Sequence, residues 1–183
     1  MSQTTLIREV NKQQLLSGLT FKLKAYFSLL KPRVMSLSIF TSFVGMLIAP
    51  AESSIYSSCL IILAISIGSG ASGALNMWYE RDTDELMTRT KDRVIPAGII
   101  APTNALIFGT SLSILSVTIL YYVSNFLAAC LLASTIAYYI FVYTIWLKKR
   151  TPQNIVIGGA AGAFPPMIGW VAVTGSLSYE PLI

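Results

Sequence analysis

The 183-residue chain is 54% hydrophobic and 11% charged, with a mean hydropathy of +0.67, whereas soluble domains run about 45–50% apolar and about 25% charged. Its composition excludes an ordinary soluble enzyme, and the absence of His removes His-ligated zinc, His general bases and His axial ligation of haem. The net charge of +5 signals membrane topology rather than a nucleic-acid partner, because of where the basic residues fall.

Residues 1–30 begin polar and then mix Leu15, Leu16, Leu19, Leu23, Tyr26, Phe27 and Leu30 at helical spacing with Lys22 and Lys24. This pattern predicts a cytoplasmic tail followed by an interfacial amphipathic helix. From residue 31 onward, runs long enough for a bilayer, which needs about 20 residues per helix, predict an all-α membrane protein. Its spans are expected at about 34–49, 55–79, 103–122, 126–147 and 155–174, with a turn at Val123-Ser124-Asn125. Cys59 and Cys130 lie within apolar runs and read as small buried residues.

The basic residues test this count. The tail holds six Lys and Arg, the second connection four and the fourth three, while the first and third hold none. All 13 therefore fall on one side, which the positive-inside rule makes cytoplasmic. A wrong span count would scatter them.

Gly68, Gly70 and Gly73 match G-x-G-x-x-G, but mid-span in GSGASGAL rather than between a strand and a helix. They read as small residues that let helices approach closely, as do Gly158, Gly159 and Gly162. The aromatics from Tyr138 to Trp146 are chiefly packing and interface anchors, with Tyr143 the candidate for lining a pocket.

The densest charge lies in Asn76–Gly98, where nine of 23 residues are charged. Asn76, Glu80 and Asp84 are spaced i, i+4 and i+8, so each lies about 40° around a helix from the last, and the three rise over about 12 Å. One face then carries two carboxylates and an amide oxygen, hard ligands suited to Mg²⁺ shared with a substrate's phosphates. Arg81, Arg89, Lys91 and Arg93 add cations able to grip phosphate oxygens. The plainer alternative is a solvated loop whose acids and bases simply pair. Asn76 argues against it, because a bare amide lies on the membrane side of the charges.

The pattern N-x-x-x-[DE]-R-D-x-D followed by R-T-x-x-R and I-P-A-G resembles the first aspartate-rich motif of the UbiA superfamily of intramembrane prenyltransferases. KPRV at Lys31–Val34, MLIAP at Met46–Pro50, the ASGALNMWYERDTD block and the stretch from Tyr143 to Trp170 are similar to the branch that farnesylates haem. Quinone-type relatives share only the N…D…D frame and its basic tail. Glu80 stands where the family usually has Asp, and Val94 where Pro is common, a change expected to loosen the turn before Pro96.

The resemblance implies a polytopic helix bundle of UbiA type, with five of nine spans present here and a second aspartate-rich loop after the sixth. It implies farnesyl diphosphate and haem B as substrates, with Mg²⁺ bridging the diphosphate. Asn76, Glu80 and Asp84 would be the catalytic and metal-holding residues, and Arg33, Arg81, Arg93 and Lys148 the diphosphate-binding ones. It further implies an inner bacterial or mitochondrial membrane, and haem A synthase or oxidase-assembly proteins as partners. A quinone or phenolic acceptor, or a non-catalytic membrane protein, are the alternatives. The 183 residues alone are expected to give no turnover.

Overall fold

Prolines set the starts of three helices in this computed structural model, which describes residues 18–148, 150–151 and 153–178. Pro32 opens α2 (Pro32–Leu47) and Pro102 opens α4 (Pro102–Val123). Pro165 falls in the first turn of α7 (Phe164–Thr174). At these positions the missing N–H costs nothing and the fixed φ is already helical. A helix at residues 18–29, α1, precedes them. The longest element, α3 (Ile55–Leu86), starts where the Ser54 side chain accepts from Ser57 N. Asn125 caps α5 (Phe126–Ala137) by accepting from Ala128 N at 2.9 Å, and α6 (Asn154–Gly159) is short.

No strand occurs among the described residues. Four helical stretches are long and apolar enough to cross a membrane: Ile55–Leu86, Pro102–Val123, Phe126–Leu147 and Val156–Thr174. α2 is a shorter apolar helix. The expected spans are therefore recognisable, with four adjustments. The first runs over Pro32–Leu47 rather than 34–49. The second continues to Leu86; its 32 residues rise about 48 Å, well beyond a hydrocarbon core of about 30 Å, so its charged end projects past the apolar layer. The fourth changes from α to π winding at Tyr138 and keeps it to Leu147. The fifth is not one helix. It breaks through a 3₁₀ turn at Ala160–Gly162 before α7, because Pro165 and Pro166 cannot donate to a preceding turn.

α3 packs along α4, and α2 against α7. One apolar core joins Ile61, Ile65, Leu120, Leu132, Ile168 and Val171. A second, at the charged end of α3, joins Ala25 and Leu29 of α1 to Ala74, Met77, Ile95 and Ile100. α1 thus docks on α3 along its Ala25–Leu29 edge, while Leu19, Leu23 and Phe27 stay exposed. Residues 1–17, with Leu15 and Leu16 of the expected interfacial helix, lie outside the described residues. At the other end, Ser124 Oγ donates to Ala172 O and Asn125 Nδ2 to Val171 O, both at 2.8 Å, tying the expected turn to α7.

Close approach is what glycine provides between α2 and α7. A Cβ on Gly45 would lie 2.1 Å from Pro166 O, and one on Gly169 2.1 Å from Ser42 O. Gly70 and Gly73 similarly admit Leu30 against α3. The Gly158–Gly162 stretch behaves differently from the expectation. Gly158 abuts the Tyr143 ring, but a Cβ added at Gly159 or Gly162 would meet nothing within 4 Å; these two open space rather than close it.

Candidate metal–diphosphate site

The last turns of α3 carry Asn76, Glu80 and Asp84 on one face, and all three are buried, at 2%, 6% and 4% exposure. The i, i+4, i+8 spacing does what helix geometry requires. Burying two carboxylates is costly unless each is paired, and each has a cation from outside α3. Lys148, just past the π-helical end of the fourth span, donates to Glu80 Oε1. Arg93, in the loop after α3, donates to Asp84 Oδ2 at 2.6 Å. Lys31, immediately before α2, donates to Asn76 Oδ1.

Two details hold these cations in place. The loop after α3 folds back through Thr90 Oγ1 donating to Asp84 O at 2.9 Å and Ile100 N donating to Val94 O at 2.9 Å, so the turn bearing Val94 is closed by backbone bonds. Lys31 adopts φ 52° and ψ 65°, a left-handed conformation that non-glycine residues occupy at a cost. That kink at the α1–α2 joint aims its side chain inward at α3. Burial first, then the Arg93 guanidinium, lower the Lys31 ammonium to about 8, against the attraction of Glu80. An added anion would favour its protonated form.

Below the charged face lies an apolar cavity of about 390 Å³, in the size range of ligand pockets. Lys31 and Tyr139 stand in its lining, with Ser69, Gly73, Gly162 and Pro165 among the walls. It therefore joins a charged mouth to an uncharged interior.

Residues 38–183 match the UbiA prenyltransferase family. The chain belongs to that family. It is 60% identical over 162 residues to the protoheme IX farnesyltransferase of Pelagibacter ubique, covering 88% of this chain and 54% of that one. It is 60% identical over 158 residues to that of Sinorhizobium fredii, covering 86% and 50%. The chain thus spans about half the length of the curated relatives it matches. A UbiA homologue from Archaeoglobus fulgidus, solved bound to GPP and Mg²⁺, has the same fold with TM-score 0.69 at 18% identity, covering 83% of this chain and 54% of that one.

Within this UbiA chain the residues expected at the site divide. Asn76, Glu80, Asp84, Arg93 and Lys148 come together. Arg81 turns away, its Nη1 donating to Trp78 O and its Nε lying 3.4 Å from Asp82. Arg33 is exposed and, among the described contacts, forms no ion pair with these acids. Lys31, two positions earlier, takes the inward place. Tyr143 lies beside Lys148, whose Nζ is 5.9 Å from the ring centre, while Tyr139 reaches the cavity. Arg89 and Lys91 are exposed.

The donor set suits a hard divalent cation: two carboxylates and an amide oxygen. Glu80 and Asp84 each use one oxygen in an ion pair, which leaves the other for a ligand. Among the described residues no third acidic or cysteine side chain joins them to complete a metal cluster.

Proposed function

We propose that this chain supplies one acidic arm and the isoprenoid cavity of an enzyme that transfers farnesyl from farnesyl diphosphate to a vinyl group of haem B, giving haem O. The observation that carries this reading is the buried Asn76–Glu80–Asp84 face, with its three cations, at the mouth of an apolar cavity. The similarity to proteins named protoheme IX farnesyltransferase supports haem as the acceptor.

Asn76, Glu80 and Asp84 would hold Mg²⁺, which supplies charge neutralisation of the diphosphate. Lys31, Arg93 and Lys148 contribute three positive charges against the two carboxylates, an excess of one. This surplus suits the oxygens of a leaving diphosphate, and such preorganised charge is a large source of catalysis. The cavity takes the isoprenoid tail and keeps bulk water from the reacting carbon. As the allylic C–O bond breaks, its electron pair leaves with diphosphate. The haem vinyl group then bonds to the farnesyl carbon, and water adds to the remaining cationic centre with loss of one proton. The product is the hydroxyethylfarnesyl group. In this reading the charged face lies on the cytoplasmic or matrix side of an inner membrane, an orientation that the basic flanks of the spans support.

The test is incubation of the complete protein with farnesyl diphosphate, haem B and Mg²⁺. Haem O, identified by spectrum and mass, is expected. A prenylated quinone or phenol, with haem unchanged, would move the assignment to a quinone-type acceptor. The cavity makes a separate expectation. Gly162→Leu fills open space in its wall, so it should raise KM for farnesyl diphosphate about tenfold or more while thermal stability stays near wild type. Equal KM values would place the tail elsewhere.

A further inference from the structure

Thr144 lies in the π-helical stretch Tyr138–Leu147, 68 residues from Asn76 along the chain, and is 1% exposed. Its hydroxyl donates to the carbonyl of Tyr139, five residues back, at 2.8 Å. With that proton committed, its oxygen can only accept from another group. Asn76 Nδ2 donates to it at 3.1 Å. The amide must therefore present its NH₂ to Thr144 and its Oδ1 to the opposite side, where Lys31 donates to it. Lys31 has donors only, so two independent partners select the same amide orientation.

On the reading of this face as a metal–diphosphate site, we infer that Thr144 is a positioning residue for Asn76. It locks the amide so that oxygen, never nitrogen, faces the ligand position. The π winding is part of the device. In an α-helix the Thr144 hydroxyl would bond to the carbonyl four residues back, and i→i+5 turns, which are rare, recur at functional sites. Here the wider turn sets Thr144 against Asn76 and carries Lys148 to Glu80 at the same helix end. Partners that orient metal ligands typically govern affinity as strongly as about 10–100-fold.

The experiment uses the complete protein with Mn²⁺ as the probe cation and farnesyl diphosphate present, free Mn²⁺ being read by EPR alongside a thermal melt. Thr144→Val should weaken Mn²⁺ binding about tenfold, whereas Thr144→Ser should stay within about twofold of wild type. Thr144→Ala and Thr144→Ser form a second pair, of similar small size, in which the hydroxyl alone should preserve affinity. Wild-type affinity in Thr144→Val, or equal losses in Thr144→Ser and Thr144→Ala, overturns the positioning role. Asp84→Asn separates this from the underlying reading. If it too binds Mn²⁺ like wild type, the metal site itself is wrong. If it loses binding while Thr144→Val does not, only the role of Thr144 fails.

Discussion

Asp84→Asn, and separately Glu80→Gln, should reduce farnesyl transfer by the complete protein by on the order of 10²–10³, the scale seen when one preorganised charge-stabilising group is removed. Folding should survive. Each substitution keeps the side-chain shape and an oxygen acceptor. The cations released, Arg93 and Lys148, have side chains 29% and 38% exposed, so they can turn toward water instead of remaining as unpaired buried charges. Haem product formation and a thermal melt, measured on the same preparation, separate the two effects. Unchanged turnover in either variant would sink the site assignment. Asp82→Asn is the matched control, because Asp82 is exposed and paired with Arg81 on another face.

The second large effect is structural. Gly169→Ala and Gly45→Ala each drive a methyl to 2.1 Å from a backbone carbonyl oxygen, of Ser42 and Pro166 respectively. A side-chain obstacle could rotate aside; a helix backbone must translate. The cost of overpacking is about 1–3 kcal/mol in ordinary cores, and these positions belong at or above its upper end. A clear fall in the thermal midpoint is expected for both, with Gly159→Ala unaffected because its added carbon meets nothing within 4 Å. Equal midpoints for Gly169→Ala and Gly159→Ala would show that α2 and α7 do not touch this closely.

What could be read from the residues alone was whatever depends on one helix. Asn76, Glu80 and Asp84 share a face because 3.6-residue periodicity is local, and the apolar runs mark long helices by the same kind of short-range pattern. Contacts made across the fold were harder. Lys31 and Arg33 both lie in KPRV, and only the left-handed joint at Lys31 decides which points inward. Tyr139 and Tyr143 are one α-turn apart, yet only Tyr139 lines the cavity, within a stretch whose π winding the apolar pattern does not announce. Thr144 carried no signal, being one hydroxyl in an apolar run. The glycines near residue 160 look like contact residues in the sequence because composition cannot distinguish a tight joint from an opening.

The α2–α7 contact has a mechanical consequence. Backbone against backbone leaves no flexible side chain between the helices, so Ser42–Gly45 acts as a pin. The cavity lies toward the opposite end of α2, lined there by Val34, Leu37 and Ser38, and Lys31 caps that end about 18 Å from the pin. A swing of α2 about that pin would move this end most, and at its tip is Lys31, the cation resting on Asn76. The chamber wall and the cation on Asn76 thus share the free end of one helix, so a shift of that end carries both together.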